Sequence, residues 1–156
     1  MYPIRAHLCF PTSEKNPLSI ESRLMMGELN SIALVVDDNA DIRELITQIL
    51  EEENFIVHSA AEATSALSLI HELQPDLLLL DVMMPGKSGI DLLCEIRASQ
   101  VPLINELPVL IITAKSQAAD IEIAMSAGAN SYIVKPFRSV ALMEKISSLL
   151  SNGARI

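Results

Sequence analysis

The stretch Leu77-Leu78-Leu79-Leu80-Asp81 decides the fold. Four leucines in a row show no alternation of apolar and polar residues, so a strand here is apolar on both faces. That is the pattern of a parallel strand covered by helices on either side. The run stops on a carboxylate and is followed by Val82-Met83-Met84-Pro85-Gly86, which carries turn formers. Upstream, Ala33-Leu34-Val35-Val36 repeats the pattern and stops on a pair of carboxylates, Asp37 and Asp38.

Outward from these runs, short apolar segments alternate with longer ones of helical period. Strands are expected at 32–36, 55–58, 77–80, 109–112 and 132–134, and helices at 41–53, 61–73, 90–98, 118–127 and 139–150. The first helix carries Ile42, Leu45, Ile46 and Ile49 on one stripe with acids opposite. Gly128 stands where a C′ glycine closes the fourth. Five such units predict an α/β domain, a doubly wound five-stranded parallel sheet with helices on both faces.

The chain has 156 residues, enough for one domain with a short appendage, and half of them are hydrophobic. Residues 1–30 carry Pro3, Pro11 and Pro17 without sustained periodicity and read as a flexible N-terminal extension. Residues 31–151 are the folded domain and 152–156 a short C-terminal tail, so no output domain is expected. Met25 and Met26 stand just before the first strand, and a translation start there is a hypothesis that N-terminal sequencing decides. The formal charge is −9, and the whole excess falls in 31–156, with 8 basic and 17 acidic residues. A surface of that sign repels a phosphate backbone, which argues against direct nucleic-acid binding. No apolar run reaches the length of a spanning helix, so no membrane insertion is expected. Cys9 and Cys94 do not make a disulfide framework, and Cys94, among Leu92, Leu93 and Ile96, reads as a small buried hydrophobe. With no signal peptide visible, a reducing cytoplasm fits.

Asp37, Asp38 and Asp81 all lie at carboxyl ends of strands, where ligands collect in an open parallel sheet. If the first and third strands are neighbours, three carboxylates converge, and such a cluster is costly without a cation. Oxygen-only donors suit Mg²⁺ better than a transition metal. Taken singly, each Asp is equally well an N-cap or turn residue. Thr113 and Lys135 close the fourth and fifth strands at the same edge. A nucleophilic carboxylate, a hydroxyl and an ammonium together are what phosphoryl transfer asks for.

With these motifs the sequence resembles the receiver domain of bacterial two-component response regulators, in its single-domain form, similar to chemotaxis regulators. The resemblance covers roughly 31–150. It is carried by Val35-Val36-Asp37-Asp38-Asn39, by Leu80-Asp81-Val82-Met83-Met84-Pro85-Gly86 with Gly89, by Ile112-Thr113-Ala114, and by Gly128-Ala129 through Tyr132-Ile133-Val134-Lys135-Pro136-Phe137. It implies the flavodoxin-like strand order 2-1-3-4-5. It implies that Asp81 is the phospho-acceptor, and that Mg²⁺ is held by Asp81, by Asp38 directly, by Asp37 directly or through water, and by the Met83 backbone carbonyl. Lys135 would pair with phosphoryl oxygens, and Thr113 would hydrogen-bond one of them after transfer. Tyr132 would turn inward as Thr113 moves, reshaping the face of the fourth helix, fifth strand and fifth helix. The Lys135–Pro136 bond would be cis. Met83 and Lys115 occupy positions that tune water access to the phosphoryl group in this family.

The implied protein is a signalling phospho-acceptor in a phosphorelay, not an enzyme beyond its own phosphorylation and dephosphorylation. Its partners would be a sensor histidine kinase or phosphotransferase and a downstream protein target. An aspartate-nucleophile phosphatase wants a second carboxylate two residues after the nucleophile, where Met83 stands. A pseudo-receiver scaffold does not need Asp37, Asp38, Asp81, Thr113 and Lys135 together. A nucleotide-binding fold would want a glycine-rich turn after the first strand, and none is present.

Overall fold

A computed structural model describes residues 30–151. Of the extension read over 1–30, residues 1–29, with Cys9, Met25 and Met26, lie outside the described residues, as does the tail 152–156. Five parallel strands form one sheet: β1 (Ile32–Val36), β2 (Ile56–Ala60), β3 (Leu77–Asp81), β4 (Val109–Thr113) and β5 (Ser131–Val134). Their order is β2-β1-β3-β4-β5, as the family resemblance implies. The helices are α1 (Ala40–Glu52), α2 (Ala63–Leu73), α3 (Gly89–Arg97), a single turn α4 (Pro102–Asn105), α5 (Ala118–Ser126) and α6 (Ser139–Ser151).

The four-leucine run serves two cores at once. Leu78 and Leu80 pack with Leu34, Ile70, Leu93, Ile96 and Ile111 on the side of α2, α3 and α5. Leu77 and Leu79 pack with Val35, Ile46, Leu110, Ile112 and Ile146 on the side of α1 and α6. Successive side chains of a strand point to opposite faces, and both faces here are dry. Each fully buried leucine contributes roughly 1.5–3 kcal/mol relative to exposure.

Where boundaries differ from the sequence expectation, hydrogen bonds explain why. Phe55 does not open β2, because its amide donates to Leu50 O at the end of α1, behind Asn54 at φ 70°. The ladder begins one residue later, with Ile56 N donating to Ser31 O at 2.9 Å. α3 starts at Gly89 because Ser88 and Asp91 form a reciprocal capping box. The segment 99–107, between the helix expected at 90–98 and the strand expected at 109–112, contains α4: Pro102 opens the turn, and Ile104 and Leu107 are buried in the α3 side of the core.

Cys94 is exposed, correcting its reading as a buried hydrophobe. α3 buries Leu92, Leu93 and Ile96, and a helical step of about 100° per residue carries position 94 away from that face. Gly128 does close α5, at φ +113°. A Cβ there would lie 2.8 Å from Arg97 Cγ, so the glycine also makes room for the arginine stem. Arg97 donates to Gly128 O, Asn105 O and Asn130 Oδ1, joining α3, α4 and the start of β5.

Candidate functional site

The β1–β3 register pairs Val36 with Leu80, so the next rung sets Asp37 beside Asp81 at the carboxyl edge of the sheet. Asp37 is 2% exposed and Asp81 5% exposed. Asp38 follows at the surface. Carboxylate oxygens of Asp37, Asp38 and Asp81 lie within 4.8 Å of one another. Thr113, 4% exposed, ends β4 at the same edge. Lys135 follows β5, its amide donating to Thr113 O at 2.7 Å, and the Lys135–Pro136 bond is cis.

Local sequence fixes these groups. The Asn39 side chain caps α1 by accepting from the Asp41 and Ile42 amides. The Asn39 backbone N–H donates to Asp37 Oδ1 at 2.9 Å. Met83 N donates to Asp81 Oδ1 at 3.2 Å, which holds the turn after β3. Gly89 N donates to Val82 O, and a Cβ on Gly89 would lie 2.2 Å from Asp81 O. Only glycine lets α3 start this close to the end of β3. Thr113 Oγ1 accepts from Lys115 N at 2.9 Å, which leaves its hydroxyl proton to point elsewhere.

The Lys135 ammonium reaches both buried carboxylates, at 2.8 Å from Asp37 Oδ2 and 3.8 Å from Asp81 Oδ2. One cation does not balance the cluster. Burial first, then the Asp37 charge, push the Asp81 carboxyl up from 3.8 to about 6, against the pull of Lys135 and the Met83 amide. Oxygen-only donors, a surplus of negative charge and a raised carboxyl are what a hard divalent cation relieves. The residues therefore fit Mg²⁺.

Two cavities flank this edge. One, of about 180 Å³, lies between α3, β4 and α5 and is lined by Val82, Ile90, Ile111, Thr113, Ala124 and Tyr132 among others. The half-buried Tyr132 borders it, with Lys145 Nζ 5.0 Å from the ring centroid. The other is an apolar groove formed by Ile42, Leu45, Ala114, Pro136 and Phe137 next to Lys135. Leu45, expected on the buried stripe of α1, is 44% exposed there. Met83 is 54% exposed, and Lys115 pairs with Asp120 at 3.8 Å.

The chain belongs to the response regulator receiver domain family, whose model matches residues 33–147. Over 125 residues it is 36% identical to the DNA-binding response regulator MtrA of Mycobacterium tuberculosis, matching 80% of this chain and 53% of that protein. The chain thus spans about half the length of that curated relative. The structure of the receiver domain of Francisella response regulator 1452 is similar at a TM-score of 0.72 and 28% identity, covering 79% of this chain and 98% of that one. Vibrio cholerae chemotaxis protein CheY4 matches at a TM-score of 0.73 and 24% identity, covering 78% of this chain and 99% of that one. At that identity the likeness to CheY4 concerns the fold.

Sequence reasoning singled out Asp37, Asp38, Asp81, Met83, Thr113, Lys135 and Tyr132, and all seven stand at or beside this edge. It missed Arg43, whose Nη1 donates to Asp37 O at 2.7 Å from one turn along α1. An arginine on an amphipathic helix has no distinguishing pattern in the sequence.

Proposed function

We propose that this chain is a phosphoryl-accepting signalling module whose acceptor is Asp81. The observation that carries the reading is the Asp81 carboxylate at the sheet edge, with two further carboxylates and one ammonium around it. With its pKa raised only to about 6, Asp81 is ionised at neutral pH and available as a nucleophile. A carboxylate oxygen forms the new P–O bond as the P–N bond of a phosphohistidine donor breaks, and the leaving imidazole takes up a proton. Asp37, Asp38, Asp81 and the Met83 carbonyl would hold Mg²⁺, which supplies charge neutralisation for the phosphoryl oxygens.

Lys135 turns from Asp37 toward the phosphoryl oxygens, and Thr113 donates its hydroxyl to one of them. That shift of Thr113 opens the 180 Å³ cavity to the Tyr132 ring. The surface of α5, β5 and α6 changes shape as a result, and a downstream protein reads it. The groove beside Lys135 suits a donor protein, a sensor histidine kinase or phosphotransferase, because it is apolar and borders the acceptor site. The acidic surface of 31–151 disfavours nucleic acid as this module's own target. Among the described residues no helix is long and apolar enough to cross a membrane.

Beryllofluoride, an acyl-phosphate mimic, tests the reading. Amide resonances of Thr113 and Tyr132 are expected to shift on its addition to the wild type with Mg²⁺, and to stay in place without Mg²⁺ or in Asp81→Asn. Equal shifts in Asp81→Asn would contradict it.

A further inference from the structure

Every polar atom of Asp37 has a partner. Its amide donates to Ala60 O at 3.2 Å, and its carbonyl accepts from Arg43 Nη1 at 2.7 Å. Its two carboxylate oxygens accept from Asn39 N at 2.9 Å and Lys135 Nζ at 2.8 Å. Asp38 is the opposite case. It is exposed, and its carboxylate makes no hydrogen bond or ion pair among the described residues. Nothing attached to the Asp38 side chain aims it into the cluster, so its direction is set by the backbone that carries it.

That backbone is the Asp37–Asp38 peptide, and its carbonyl is the atom Arg43 holds. Arg43 is well placed for this. It is half-buried in the first turn of α1, and its amide donates to Asn39 O at 3.1 Å. The side chain therefore reaches back from a helix whose own start is anchored by the Asn39 cap. Arg43 makes no ion pair among the described residues, so its hydrogen bond is not shared with a competing carboxylate. A charge-assisted bond to a carbonyl resists rotation of the peptide plane.

We infer that Arg43 is a positioning residue for the divalent-cation site: by clamping the Asp37 carbonyl it fixes the direction in which Asp38 presents its carboxylate. The inference rests on the reading of Asp37, Asp38 and Asp81 as cation ligands. It has a consequence of unusual sign. Arg43 is itself a cation beside a cation site, so Coulomb's law alone predicts tighter Mg²⁺ binding when its charge is removed. A positioning role predicts weaker binding, because partners that orient ligands typically hold about 10–100-fold of metal affinity.

The test is calorimetric titration of the full chain with Mg²⁺, comparing wild type, Arg43→Met and Arg43→Lys, with thermal unfolding as a control for folding. Arg43→Met keeps an unbranched stem while losing both donor and charge. It is expected to weaken Mg²⁺ about tenfold or more. Its labelling rate with acetyl phosphate should need correspondingly more Mg²⁺ but reach the wild-type plateau. Arg43→Lys, with a shorter but still cationic donor, should recover part of the affinity. Unchanged or tighter Mg²⁺ binding in a folded Arg43→Met would overturn the inference and leave the cation site standing. Absence of Mg²⁺ binding in the wild type would instead overturn the cation-site reading, and the inference with it.

Discussion

Lys135 is ion-paired to Asp37 at 2.8 Å, while Asp81 lies 3.8 Å from the same ammonium. The cation beside Asp81 is thus held by its neighbour, and under the proposed function it moves to the phosphoryl group when one is present. Lys135 is therefore expected to stabilise the resting protein as well as to take part in the proposed transfer.

Replacing it separates the two roles. Lys135→Met leaves the buried Asp37 carboxylate beside two others with no cation. Removing one partner of a fully buried pair costs about 3–5 kcal/mol. Since Lys135 is 20% exposed, a loss of about 2 kcal/mol is expected at neutral pH. Urea titrations with and without Mg²⁺ check this, and the ion should restore most of the loss.

The Asp81 carboxyl gives a pH dependence of defined sign. Its pKa is raised from 3.8 to about 6 in the folded protein, so the native state holds the proton more tightly than the unfolded one. The contribution of Asp81 to the stability of the metal-free protein should therefore be most favourable below about pH 4, fall as pH rises toward about 6, and level off above it. The shift corresponds to at most about 3 kcal/mol, reduced to about 1–2 by water at the mouth of the cleft. Asp81→Asn should abolish this component and be the more stable protein at pH 7 in chelator. Denaturant midpoints from pH 4 to 7 measure it, once other carboxylates are subtracted through the mutant.

Gly89→Ala places a Cβ 2.2 Å from the Asp81 carbonyl oxygen, so strand or helix must shift. A destabilisation of about 3 kcal/mol is expected, in line with overpacking against rigid backbone. Phosphoryl acceptance should fall with it even below the melting temperature, because the displaced group is the acceptor's own backbone. Thermal unfolding and labelling on the same sample check both.

The ammonium of Lys145 sits over the Tyr132 ring at 5.0 Å, a contact that the inward turn of Tyr132 in the proposed switch would have to break. A contact of this kind at an exposed site is worth about 0.5–1 kcal/mol. Lys145→Met should therefore tighten beryllofluoride binding roughly two- to fivefold, by the corresponding Boltzmann factor. Fluorine labelling of tyrosine would report the ring position directly, with unchanged populations counting against the switch.

The fold was legible because two strands announce themselves: Leu77–Asp81 and Ile32–Val36 are apolar on both faces and stop on carboxylates. The same strand ends made the acids, Thr113 and Lys135 legible, since a parallel sheet puts all such ends on one edge. What escaped was set by tertiary packing. Cys94 turns outward because Leu92, Leu93 and Ile96 define the buried face of a nine-residue helix. The α4 turn forms because Ile104 and Leu107 find core partners that no local pattern foretells. The hold of Arg43 on Asp37 spans six positions but depends on how a long side chain folds back over a helix start.

The central claim, that Asp81 accepts a phosphoryl group, is tested most directly by intact-protein mass after incubation with acetyl phosphate and Mg²⁺. A gain of one phosphoryl group by the wild type is predicted, absent in Asp81→Asn and absent when Mg²⁺ is chelated. An unmodified wild type, or an equal gain by Asp81→Asn, would contradict it.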